Sequence, residues 1–154
     1  MASSVTAETL NKVLWRIPNV LCLIGSRHGD EWNGMTQSWV TQVAMEPVLV
    51  AVSIDAGAVT NRLVRDSGVF SVNLWPRHDT RPFVKFSKPA VKEDMTLNGR
   101  PFREGLTGAP VFTEAAAFIE CTVWREIPCG THDLFLGEVV EAGFGDAGED
   151  ELVA

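Results

Sequence analysis

The chain has 154 residues, 45% of them apolar and 21% charged, which fits one folded domain with a single core and excludes a disordered segment. Its formal net charge of −7 argues against a binder of duplex nucleic acid or of an anionic membrane, since both partners call for a basic surface. No apolar run is long enough to cross a bilayer, and the opening MASSVTAETLNKV lacks the basic patch and apolar stretch of a secretory signal, which points to the cytoplasm.

Residues 6–15 are predicted to form a short helix. Residues 20–26 (VLCLIGS) read as an apolar strand, and the HGDEWNG that follows as a turn or loop, from its Gly and Asp content. Residues 35–44 alternate and carry β-formers, which predicts a second strand, broken by Glu46-Pro47. Residues 48–54 (VLVAVSI) are apolar enough for a third strand buried on both faces. Connections this short leave no room for helical crossovers, so an antiparallel meander is expected of these three. Residues 58–67 predict a helix stopped by Gly68, residues 70–74 (FSVNL) a fourth strand, and residues 80–87 a small helix with Asp79 or Thr80 as cap and Pro82 in its first turn. Residues 88–110 hold Pro89, Pro101 and Pro110 and read as a long irregular excursion, of the kind that is functional or packs on a partner. Residues 115–127 and 132–142 flank Pro128-Cys129-Gly130-Thr131 as a long hairpin. The sum is a single mainly β domain over 1–154, a barrel with a few short helices. The lack of alternating βαβ units excludes a Rossmann domain.

Several motifs fail on context. Cys22, Cys121 and Cys129 are odd in number and have no C-x-x-C spacing, so neither a disulfide framework nor a zinc site is expected; idle thiols suit a reducing compartment. His28, His78 and His132 are scattered, and no metal site is expected. Gly143-Phe144-Gly145-Asp146-Ala147-Gly148 matches G-x-G-x-x-G in form. Acidic Glu149-Asp150-Glu151 follows where the motif needs a helix N-terminus, so an acidic turn is the better reading. The basic charge gathers instead at Arg77, Arg81, Lys85, Lys88 and Lys92.

Two stretches carry candidate chemistry. The first runs from Trp32-Asn33-Gly34-Met35-Thr36-Gln37-Ser38-Trp39 through Glu46-Pro47 into residues 48–54. It is a loop entering a strand, crowded with small polar donors, as a wall against a nucleotide-like ligand would be; on composition alone an ordinary polar strand face explains it better. The second runs from Gly108-Ala109-Pro110 through Glu120-Cys121 to Gly130-Thr131-His132-Asp133-Leu134-Phe135-Leu136-Gly137. His132 stands at the exit of a hairpin turn, where it either leans over a pocket or serves solubility.

In this order, from about Leu14 to Val140, these pieces resemble the flavin reductase-like family of FMN-binding split β-barrels. That family shows N-x-M-T-x-S-W, P-x-L-V-x-V-S-I, F-x-V-N, A-x-A-x-x-E-C and G-D-H-x-L-F-x-G-x-V segments. Thr131 departs from the pattern by replacing the usual Asp. The chain also ends at Ala154 where family members run on, which implies a truncated C-terminal segment.

The resemblance implies a Greek-key split barrel that dimerises and binds FMN near the subunit interface, with NADH or NADPH as co-substrate. It places Asn33, Met35, Thr36, Gln37 and Ser38 along the flavin ring and ribityl chain, and Ser53, Ile54 and Asp55 beside them. Thr60 and Asn61 fall at the start of the 58–67 helix, where amides and dipole suit a phosphate. Phe86, with Lys85, matches a position that approaches the cofactor, and His132 lies near the nicotinamide or flavin edge. Arg81 and Lys85 are further candidates to neutralise the phosphate, as positive charges in an acidic chain, with a solvated basic helix face as the alternative. The implied activity is NAD(P)H:flavin reduction, feeding a monooxygenase or another redox partner. A flavoredoxin-like electron carrier and a non-redox split-barrel binding protein are the alternatives.

Overall fold

The computed structural model describes residues 4–149 and residue 152, and is mainly β with a few short helices. In chain order come α1 (Ala7–Leu14), β1 (Cys22–His28), β2 (Glu31–Gln37), β3 (Val40–Met45), β4 (Val48–Asp55), α2 (Val59–Ser67), β5 (Val69–Leu74) and α3 (Arg81–Lys85). Four short strands follow: β6 (Lys92–Glu93), β7 (Thr96–Leu97), β8 (Arg100–Glu104) and β9 (Pro110–Phe112). The long hairpin of β10 (Ala117–Cys129) and β11 (His132–Phe144) completes the order. Seven strands form one antiparallel sheet in the order β2-β1-β5-β10-β11-β4-β3, and β6 to β9 form a second, small one. No described helix is long and apolar enough to cross a membrane.

The expected meander does not form. β1 pairs with β2 and β5, while β4 pairs with β3 and β11, so the two N-terminal hairpins stand at opposite edges of the sheet. Local periodicity identifies strands but carries no information on which distant strand each will join. HGDEWNG is not a loop: only Gly29-Asp30 turn, with Gly29 at φ +60, and Glu31–Gln37 is the edge strand β2. The single strand expected over 35–44 breaks at Ser38-Trp39, because its first part pairs with β1 and its second with β4. Residues 88–110 are not irregular either; tight turns that hold Asp94 and Asn98 at positive φ fold them into β6 to β9. The helix stop at Gly68 forms as expected, with φ +75 and its amide donating to Val64 O at 2.8 Å. Of the acidic 146–151 tail, Asp150 and Glu151 lie outside the described residues.

β2 and β3 are the two edges of the large sheet yet are separated only by Ser38-Trp39, so the sheet must curl far enough to bring the end of β2 to the start of β3, as in a split barrel. Gln37 bonds across this seam. The curl buries Cys22, Ile24, Val52, Ile54, Phe70, Val72, Cys121 and Phe135 on its inside, with Val64 of α2 packed in the same cluster. A second core lies on the other face, where Leu23, Trp75, Phe83, Phe86, Leu97, Phe102 and Phe112 join β1 to α3 and the small sheet. β1 is therefore apolar on both faces. Asn73 of FSVNL joins the two sheets: its amide donates to Leu23 O and Ser71 Oγ, and its oxygen accepts from Phe112 N.

α3 is anchored from its N-terminal side by Asp79, which accepts from Arg100 at 2.6 Å and from Arg81 at 3.0 Å. Burial by itself would raise the Asp79 carboxyl; the hydrogen bonds and charges of the two arginines outweigh it and hold the group at about 2. Arg81 is 79% exposed and screened by water, whereas Arg100 and Asp79 are 13% and 12% exposed, so the Arg100 bond carries most of the effect.

Two outcomes follow for stability. A Cβ at Gly137 would lie 2.5 Å from the Phe70 ring and 2.7 Å from Cys121 Cβ, so Gly137→Ala should lower stability by about 1–3 kcal/mol in urea unfolding; an unchanged midpoint would show the core can yield there. The Asp79 contribution is present in full above its ordinary 3.8 and is lost as pH falls towards about 2. Asp79→Asn should therefore cost on the order of 1–2 kcal/mol at neutral pH and flatten the acid limb of the stability profile. An equally steep acid limb in that variant would assign it to other carboxylates.

Candidate functional site

Where the seam of the sheet meets the second core, a cleft of about 560 Å³ opens. Met35, Thr36 and Gln37 of β2 form one wall, and Asp55, Gly57 and Ala58 of the β4–α2 turn another. Phe83 of α3, Ser87 just after it and His132 at the start of β11 complete the lining. A recess of about 190 Å³ shares Met35, Gly57, Ala58 and Ser87 with it and adds Asn33, Val59, Phe86, Lys88 and Pro89. The two are read as one groove, apolar at Met35 and Phe83 and polar towards α2 and Lys88.

The walls are held by hydrogen bonds that also account for the polar residues of the NGMTQS segment. Thr36 donates from its hydroxyl to Phe83 O at 2.7 Å and from its amide to Phe86 O at 3.0 Å, which docks α3 on β2. Asn33 is buried, donating to Thr60 Oγ1 at 3.0 Å and accepting from Ala90 N at 2.7 Å, so it ties the segment after α3 to the first turn of α2. Gln37 donates to Ser53 O at 2.6 Å, and its oxygen accepts from the amides of Ser38 and Trp39. The Asp55 carboxylate accepts from Gly57 N at 2.8 Å and shapes the turn into α2.

α2 opens onto this groove with Ala58 as N-cap and no side-chain cap. The amides of its first turn have no partner within the helix, and the helix dipole makes that end positive. Lys88 lines the same recess. His132 bonds Thr131 Oγ1 through Nδ1 at 2.9 Å and packs against the Trp39 ring at 5.0 Å between centroids.

Of the residues singled out in the sequence, Asn33, Met35, Thr36, Gln37, Asp55, Phe86 and His132 line the groove. Thr60 and Asn61 are fully buried in the first turn of α2 with their side chains turned to Asn33 and Asp133, so only backbone groups of that turn remain for a ligand. The Ile54 side chain lies in the inner core. Ser38 and Ser53 flank the seam without lining the groove. Arg81 is committed to Asp79, and neither it nor Lys85 lines the groove.

The sequence reading missed Gly57, Ala58, Val59, Phe83, Ser87, Lys88 and Pro89 of the groove lining. Lys88 stood in the basic run, but nothing in the spacing distinguished it from its neighbours. A second cleft, of about 430 Å³ beside Arg27, His28 and Thr107, holds none of the predicted residues. Among the described residues no cluster of three His, Cys, Asp or Glu side chains is placed to hold a metal.

Comparison with known proteins adds the family. The chain is similar to a ferric-chelate reductase (NAD(P)H) of Archaeoglobus fulgidus, 30% identical over 133 residues that cover 85% of this chain and 79% of that protein. It spans about half the length of another curated relative, which it matches at 32% identity. Among solved structures, the NADH:FAD oxidoreductase SgcE6 of Streptomyces globisporus superposes with a TM-score of 0.82 at 26% identity, covering 100% of this chain and 88% of that one. An FMN-binding protein from Thermus thermophilus gives 0.78 at 26%, covering 94% and 80%. The profile of the flavin reductase like domain matches residues 14–154, nearly the whole chain, and the chain belongs to that family.

Proposed function

We propose that this protein is an NAD(P)H:flavin oxidoreductase that holds FMN in the groove between β2, α2 and α3. The observation that carries this reading is the meeting, in one groove, of an uncapped helix N-terminus with Lys88 at one end and the apolar Met35 and Phe83 along the rest. A phosphate-bearing aromatic ligand needs that pairing of a cationic end with an apolar slot. The groove volume of about 560 Å³ falls within the roughly 300–1,000 Å³ of small-molecule sites. The names of the similar structures, one an NADH:FAD oxidoreductase and one an FMN-binding protein, support a flavin.

A bound flavin supplies hydride chemistry with a nicotinamide and needs no obligatory protein acid or base. The chain's own residues bind and orient. The first-turn amides of α2, with Ser87 and Lys88, take the phosphate; this moves the role from Arg81 and Lys85 to Lys88. Met35 and Phe83 give apolar contact. His132, whose Nδ1 is engaged by Thr131 and whose ring is backed by Trp39, lines the groove and keeps Nε2 for a ligand.

The assembly is a homodimer in this reading. α1 has no buried residue although Leu10, Val13, Leu14 and Trp15 are apolar, and Val43, Met45 and Trp124 are also exposed. A cytoplasmic location suits three free thiols. The electrons leave to a monooxygenase or another redox protein.

Protein reconstituted with FMN under anaerobic conditions should lose its yellow absorption rapidly on addition of NADH or NADPH. Retained colour with both nucleotides would favour an electron carrier fed by a protein, and no affinity for FMN a non-redox binding protein. His132→Ala should slow bleaching by roughly tenfold or less, below the 10²–10⁴ of a general acid–base residue; complete loss with FMN still bound would make His132 a proton donor or acceptor.

A further inference from the structure

Next to His132 lies a buried carboxylate that the proposed reduction does not use. Asp133 is 7% exposed, and one of its oxygens accepts from Asn61 Nδ2 at 2.9 Å and from Arg65 Nη2 at 3.0 Å. The donors stand one turn apart on α2. Arg65 also bonds Glu126 of β10, and Asn61 also donates to Ile54 O at 3.3 Å. Arg65 is 46% exposed, so water screens the pair and it is a weak source of stability; its directional bonds fix geometry instead.

The geometry here is that of the groove. Successive residues of a strand point to opposite faces, so Asp133 turns under α2 while His132 turns out to the groove. α2 is the helix whose open N-terminus forms the other side of that groove. A backbone bond from Ala56 N to Thr131 O, at 3.0 Å, joins the two elements just beyond. Asp133 is thus the side-chain link that fixes the start of β11 to the first two turns of α2.

We propose that Asp133, through Asn61 and Arg65, is a positioning residue that sets the His132 ring relative to the N-terminus of α2, and so aligns the nicotinamide with the flavin. This rests on the reductase reading given above. It predicts that Asp133→Asn, nearly isosteric but without the charge that holds Arg65, slows flavin reduction about tenfold, in keeping with the sensitivity of oriented reactions to small misplacement. Because Asp133 acts through His132, the loss should disappear in a His132→Ala background.

The test is a double-mutant cycle of anaerobic reduction rates with FMN-loaded wild type, Asp133→Asn, His132→Ala and the double variant. Non-additive losses are expected. An Asp133→Asn rate equal to wild type, or an equal loss in both backgrounds, would overturn the proposal. If Asp133→Asn does not fold, Arg65→Gln removes a donor to the same carboxylate from the solvent side and enters the same cycle. A second readout needs no activity: the nuclear Overhauser contact between the His132 and Trp39 rings should be present in wild type and lost in Asp133→Asn. If wild type takes no electrons from NADH or NADPH, the reductase reading fails by itself. The ring contact then decides the positioning role, and its persistence in the variant overturns it.

Discussion

The side-chain amide of Gln37 closes the seam on which the rest of the molecule depends. The large sheet begins and ends its spatial order with β2 and β3, which follow each other in the chain, so the end of one edge strand meets the start of the other at Ser38-Trp39. At such a meeting backbone groups leave their ladders, and buried polar groups without partners are costly. Gln37 partners three backbone groups at this part-buried corner, the amides of Ser38 and Trp39 and the carbonyl of Ser53. The same closure carries the end of β2 to the end of β4, and so to the start of α2 and to His132, which pairs with Asp55. The groove is a consequence of closing the sheet.

Two cores make the groove lopsided. The inner core fixes Met35 from one side, and the second core presents Phe83 and Phe86 from the other, where Phe86 meets Phe112 edge-on at 5.4 Å. Between them Gly34 allows close approach: a Cβ there would lie 2.9 Å from the Phe86 ring. The polar residues of the segment serve as struts for these walls. Thr36 and Asn33 spend their side chains on α3, α2 and the segment after α3. What remains for a ligand is backbone, apolar surface, Ser87, Lys88 and His132.

Much of this was legible in the sequence, for physical reasons that also mark the limits. The β10–β11 hairpin, the α2 helix with its Gly68 stop and the double-faced burial of β4 follow from local periodicity and turn chemistry. The strand order does not, because VLCLIGS and VLVAVSI are equally apolar and nothing local says that β5 and the hairpin will insert between them. The site segment was recognisable by its ordered resemblance, yet composition could not tell a strut from a lining residue. Thr60 and Asn61 look like phosphate donors until α2 is seen to turn their side chains inward. Arg81 and Lys88 are equivalent in a linear charge count and differ only once Asp79 has claimed the first.

In the proposed complex the phosphate end of the flavin lies on the α2 N-terminus and Lys88. The direct measurement compares dissociation constants of FMN and riboflavin, which differ by the phosphate, for wild type, Lys88→Ala and Arg81→Ala. Wild type should prefer FMN by about tenfold or more, Lys88→Ala should lose most of this preference, and Arg81→Ala should keep it. Equal affinity for the two flavins in wild type, or a preference lost with Arg81 and kept without Lys88, would contradict this placement.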